Sequence, residues 1–178
     1  MRDRDAGPRA DALPADPDAA LRVLYATHWG PMVRLAALLL GSTSAAEEVV
    51  QDAFVATYRH LPGLRDPQRA GGYLRTSVVN GTRSWHRHRQ VEERHREPPP
   101  PAPAGPDEEA ARSADDARVM AALRRLPRRQ QEVLVLRYHA DASEAEIAEL
   151  CGISRGAVKT HAHRGLSALR AELGQVRP

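Results

Sequence analysis

Six side chains close to the C-terminus, Ser154, Arg155, Lys159, Thr160, His163 and Arg164, have the types and spacing to read DNA. They lie in SEAEIAELCGISRGAVKTHAHRGLSALR, where Val158, Ala162, Leu166 and Leu169 recur at helical spacing and form an inward stripe. The cationic and hydrogen-bonding residues are left on the outer face. Arg155 and Lys159, in the first turns, can reach guanine acceptors in the major groove, while further cations meet phosphate. A solvated basic face on a small helical domain is the plain alternative. Catalytic chemistry finds no comparable set. His86 and His88, like His161 and His163, stand two residues apart, so each pair would point to different helix faces, and no cysteine or carboxylate completes a site. Neither a metal nor a cofactor is expected. Cys151, the single cysteine, rules out an internal disulfide and is expected as a buried thiol. No nucleophile stands beside a base, and no glycine loop offers to cradle phosphate.

The elements that must position the six side chains are legible around them. Ser143 with Glu146 forms a capping box, Ile147 and Leu150 face inward, Gly152 supplies a turn, and Ser154 caps the next helix. This is a helix-turn-helix pattern. Ahead of it, Ser113 with Asp116 starts a helix carrying Val119, Met120 and Leu123. Pro127 opens another through Val133, Leu134 and Tyr138. From residue 117 onward eleven Lys and Arg stand against six Asp and Glu, a net of five positive charges.

The chain's net charge is only +3, because the charge is segmented. Residues 97–116, EPPPPAPAGPDEEAARSADD, carry six prolines and six carboxylates against Arg112, a composition that reads as an acidic linker. Just before it, residues 80–96 hold five arginines against two glutamates. Apolar residues make up 42% but aromatics only 4%, so the cores must rest on Leu, Val and Ala, which favours helix bundles. Helices are expected near 18–28, 31–40, 44–60 and 73–91, with Pro31 in the first turn of the second and a Ser44–Glu47 capping box on the third. Leu61 to Gly72, with two prolines and three glycines, is expected as a loop. In the third helix Ala46, Val49, Val50, Ala53 and Phe54 should face the core. Glu48, Gln51, Asp52, Val55 and Arg59 share the opposite face, whose acidic, amphipathic character suits a protein partner better than nucleic acid. In the fourth, Thr76, Asn80, Arg83 and Arg87 line one face and can offer donors to bases and phosphates, while Leu74 and Trp85 belong to the core. The leader, residues 1–17, alternates charge with Pro and Ala and has no apolar stretch of signal-peptide type. The longest apolar run, Leu35 to Leu40, is far short of the roughly 20 residues that cross a bilayer, so a cytoplasmic protein without membrane insertion is expected.

The ordered set LYATHWGPMVRLAALLLG, AEEVVQDAF, GYLRTSVVNGTRSWHRHR, LRRLPRRQQEVLVLRY and the helix-turn-helix stretch resembles the extracytoplasmic-function sigma factors of bacterial RNA polymerase. The resemblance covers roughly residues 20–91 and 116–174. It implies an all-α fold of two small helical domains, a region-two bundle at 18–91 and a region-four helix-turn-helix at 116–174, joined by a Pro-rich acidic linker at 92–115. Core RNA polymerase would dock on Glu48, Gln51, Asp52, Val55 and Arg59. The melted minus-ten strand would lie on Arg65, Thr76, Asn80, Arg83 and Arg87. The minus-thirty-five element would be read by the helix beginning at Ser154. Some relatives bind an anti-sigma factor, and nothing in this sequence identifies one. Melting costs about 1.4 kcal/mol of stacking per step, and aromatic platforms return roughly 1 to 3 kcal/mol per base. Few aromatics are available here, so a close promoter match and a short melted segment are implied. A repressor or response regulator would instead bind duplex operators without polymerase, and a helical enzyme would need a catalytic set that is not found.

Overall fold

The computed structural model describes residues 13, 14, 16–61, 69–95 and 114–174. These form seven helices and no strand: α1 (Pro17–Leu40), α2 (Thr43–His60), α3 (Ala70–His95), α4 (Ala114–Arg125), α5 (Arg128–Tyr138), α6 (Glu144–Cys151) and α7 (Arg155–Gly174). The expected linker and leader fall almost wholly outside the described residues, as does Arg65.

The first two expected helices are one. α1 runs straight through Pro31, from the Asp16 cap, whose carboxylate accepts from the Ala19 amide at 3.0 Å, to Gly41 in the left-handed region at φ 72°. Proline normally disfavours a helical residue before it by clashing with that residue's Cβ, and Gly30 has none. Leu24 on one side of the proline, with Met32, Leu35, Ala36 and Leu39 on the other, continues a single buried stripe against α2 and α3. Burying each large side chain is worth about 1.5 to 3 kcal/mol, enough to offset an interrupted hydrogen-bond ladder. Although α1 is long and apolar enough to cross a bilayer by composition, here that stripe packs into the bundle.

α2 begins two residues earlier than the capping-box pattern suggested. Ser42, in an extended conformation, is the cap and accepts from the Ala45 amide at 3.3 Å, so Ser44 lies inside the helix. All five expected core residues of α2 are buried. α3 also starts early, at Ala70, taking Gly71 and Gly72 into its first turn. A Cβ at Gly71 would stand 3.0 Å from His28 Nε2, which is one reason a glycine suits this entry. α2 and α3 pass so closely that a Cβ at Gly81 would come within 2.7 Å of Val49 Cγ1.

In the C-terminal half α5 is central and packs against α1, α6 and α7. Val133 to Leu136 are all buried. Of the described side chains of α4, Ala122 and Leu123 are buried, as is the following Leu126, while Val119 is exposed, and so is Tyr138 at the end of α5. The capping box on α6 is complete. Ser143 Oγ accepts from the Glu146 amide, Glu146 accepts from the Ser143 amide at 2.8 Å, and Gly152 turns the chain at φ 62°.

The two halves touch. The last carbonyls of α1 lack partners within the helix. Gln131 Nε2 from α5 donates to the Leu38 carbonyl at 2.8 Å, and His86 Nε2 from α3 bonds the Leu39 carbonyl at 3.2 Å. The apolar residues of both halves form one cluster.

Candidate nucleic-acid interface

α7 owes its orientation to two devices. Ser154 Oγ accepts from the Ala157 amide at 3.1 Å and caps the helix, while Val158 and Ala162 are buried against the rest of the C-terminal half. A Cβ at Gly165 would meet Leu134 Cδ1 at 2.9 Å, so the glycine lets α7 lie close on α5. Leu166 and Leu169 are half-buried on the same stripe. This packing leaves Ser154, Arg155, Lys159, Thr160, His163 and Arg164 all exposed on the outer side. Lys159 Nζ stands 3.7 Å from Glu144 and is itself largely exposed, a loose pair that a phosphate or base can displace. Thr160 donates to the Gly156 carbonyl at 3.0 Å, which leaves its hydroxyl oxygen free to accept.

On α2, Glu48, Gln51, Asp52, Val55 and Arg59 are all exposed, opposite the buried Val49, Val50, Ala53 and Phe54. Tyr25 and Trp29 of α1 stack at 4.7 Å between ring centroids, and both pack against Phe54, which fixes α2 on α1. Tyr58 donates to Asp18 at 2.8 Å, and that bond holds the phenol above its ordinary pKa.

On α3 the four expected residues part company. Thr76 donates to the Gly72 carbonyl at 3.0 Å, and with Asn80 it lines a cleft of about 640 Å³ faced by Glu146, Glu149 and Leu150 of α6. Arg87 is exposed and donates to Ser84 Oγ at 2.8 Å. Arg83 is turned into the other half of the molecule. Its Nε and Nη2 donate to the two carboxylate oxygens of Glu132 at 3.2 and 3.4 Å, and Nη1 donates to the Leu150 carbonyl at 2.5 Å. Leu74 is fully buried and Trp85 half-buried, with Arg89 over its ring. Glu132 and Gln131 escape a reading of the sequence, since RRQQE looks like the wetted start of an amphipathic helix until the other half covers it.

The histidine pairs diverge as their spacing implies. His86 is held at the Leu39 carbonyl, while His88 is exposed. Burial, reinforced by Arg128 and Arg89, holds the His86 imidazole below its ordinary pKa despite that hydrogen bond. Cys151 is buried, and desolvation pushes its thiol up. Among the described residues no group of three or more potential ligands could hold a metal.

Two family descriptions match this chain in order: Sigma-70 region 2 over residues 24–91 and Sigma-70, region 4 over residues 116–169. The RNA polymerase sigma-E factor of Streptomyces avermitilis is 35% identical over 147 residues, covering 83% of this chain and 81% of the relative. The ECF RNA polymerase sigma factor SigL of Mycobacterium tuberculosis is 30% identical over 173 residues, covering 94% and 97%. Among solved structures, CnrH in complex with the cytosolic domain of CnrY is similar at a TM-score of 0.65 and 25% identity, over 90% of this chain and 91% of that one. The sigma factor RpoE of Bartonella quintana, in complex with the anti-sigma factor NepR, shares the fold at a TM-score of 0.70 and 22% identity, over 88% and 98%. The chain belongs to the extracytoplasmic-function sigma factors of RNA polymerase. Its function is to bind core polymerase and direct promoter recognition and transcription initiation.

Proposed function

We propose that the two halves divide this work between them. In this reading residues 18–91 form the unit that docks on core polymerase and holds the minus-ten strand, and residues 116–174 form the unit that reads the minus-thirty-five duplex. Residues 1–17 and 92–115 serve as leader and linker. The protein works in the cytoplasm beside polymerase and has no catalysis of its own. The observation that carries the reading is the outer face of α7, where six polar and cationic side chains stand exposed against buried Val158 and Ala162. The exposed α2 face of Glu48, Gln51, Asp52, Val55 and Arg59 supports polymerase docking. An acidic, amphipathic surface suits a protein partner and would repel DNA. Arg65, Thr76, Asn80, Arg83 and Arg87 are assigned to the minus-ten strand. An anti-sigma protein is proposed as a further partner, by analogy with the sigma factor RpoE, which is captured in complex with the anti-sigma factor NepR.

Run-off transcription with core polymerase over a library of genomic promoter fragments tests the reading. Discrete start sites sharing an upstream and a downstream element are expected. Tight binding to duplex sites with no polymerase-dependent transcripts would favour a repressor instead.

A further inference from the structure

The guanidinium that α3 would offer to promoter DNA is already occupied. Arg83 grips both carboxylate oxygens of Glu132, whose side chain is only 4% exposed, and the carbonyl end of α6 through Leu150. The same carboxylate receives Arg128 Nε at 3.4 Å and Arg129 Nη1 at 2.9 Å, and Arg129 also donates to the Cys151 carbonyl. Three guanidinium groups therefore surround one carboxylate, and the charge of Arg87 is felt at Arg128 as well. The cluster is net positive even when closed, and the α6 carbonyl end is the negative pole of a helix dipole. Carboxylate and phosphate present the same pair of oxygens to an arginine fork, so nucleic-acid phosphate can take the place of Glu132 without altering the geometry of the bond.

We infer that Glu132 is an internal phosphate surrogate: it clasps Arg83 in the DNA-free chain and holds the α3 face against the C-terminal half until promoter phosphate displaces it. The inference rests on assigning Arg83 to the minus-ten surface. Distance supports it independently. Promoter elements at minus ten and minus thirty-five are about 25 base pairs apart, roughly 85 Å along the duplex. A compact chain of this length has a radius of gyration of about 16 Å and is therefore about 40 Å across. The clasp and simultaneous engagement of both elements exclude each other. α7 has its outer face exposed while the clasp is closed, so duplex DNA can be met first and the α3 face released afterwards.

The test uses the full-length chain with dyes on cysteines introduced at Thr43 and Ala168, both exposed, the native Cys151 being buried. Energy transfer reports separation of the halves, and a short mixed-sequence single-stranded DNA oligonucleotide reports access to the α3 face. Glu132→Gln keeps the shape and removes the charge. It should lower transfer efficiency and tighten oligonucleotide binding about threefold or more, as expected when a minor open state becomes dominant. Arg83→Ala should lower transfer without tightening binding. Gln131→Ala, which removes the bond to the Leu38 carbonyl, should lower transfer even if Glu132→Gln proves poorly folded by circular dichroism. Unchanged transfer in both folded variants overturns the clasp. Separation without tighter binding in Glu132→Gln overturns the surrogate together with the assignment of Arg83 to DNA, while leaving the reading of α7 intact.

Discussion

At the scale of single residues, the proposed reading of α7 divides two kinds of contact by position along the helix, which composition alone would merge. Arg155 and Lys159 lie in the first turns, where a recognition helix meets base edges, and alanine at either should cost about 1 to 3 kcal/mol and relax preference at one base pair. Arg164 lies about one and a half turns beyond Lys159 and is proposed to meet phosphate. Its loss should weaken binding to every sequence and lower the salt slope by roughly one unit. Titrations on matched and mismatched minus-thirty-five duplexes at several salt concentrations distinguish the two, and uniform weakening in all three variants would contradict the division. On α2, Asp52→Arg reverses a charge on an exposed face without touching the core. Core-polymerase affinity should fall roughly tenfold, about 1.4 kcal/mol, with helix content unchanged. Wild-type affinity in a pull-down titration would count against that face.

At the scale of elements, close approach decides which glycines are replaceable. Gly81→Ala places a methyl 2.7 Å from a stiff β-branched valine, so overpacking of about 1 to 3 kcal/mol should exceed the helix propensity gained. Gly72→Ala meets nothing within 4 Å and should stabilise by about 0.4 to 1 kcal/mol. Urea midpoints of the two variants should move in opposite directions, and movement in the same direction would contradict the packing described. These elements also mark how far the sequence could be read. The α6–turn–α7 unit was legible to the residue, because its caps, its glycine and its apolar stripe are local signals that agree. Proline at position 31 was misread as a helix start, since the local rule for proline knows nothing of the buried stripe that carries α1 across it. Ser44 looked like a cap because Glu47 follows it, but Ser42 is the residue that adopts the extended conformation. The Arg83–Glu132 bond was illegible because it joins residues 49 apart, and each partner resembles a wetted surface charge until the two halves meet.

At the scale of the whole molecule, burial of imidazoles couples stability to acidity. His28 and His86 are each held below the ordinary histidine pKa, in both cases chiefly by burial. In the folded state they bind protons less readily than in the unfolded chain. The stability they contribute is therefore complete above about pH 6.5, the unfolded value, and is lost as pH falls below it toward the folded values. The urea midpoint should drop between pH 7.5 and 5.5, and His86→Gln should lessen that drop. Equal drops with and without His86 would remove it from the account. On the proposed assignment of residues 92–115 as a linker, limited proteolysis should cut first between Glu97 and Asp116, a stretch rich in proline and acidic residues. The division of labour between the halves is tested most directly by sequencing run-off transcripts made by core polymerase on a genomic promoter library, with the wild-type chain and with the Arg155→Ala, Lys159→Ala double variant. The account predicts discrete start sites for the wild-type chain. The folded double variant should use promoters with a relaxed minus-thirty-five element and an unchanged minus-ten element. The same promoters at the same yield from both proteins would contradict the placement of minus-thirty-five reading on α7.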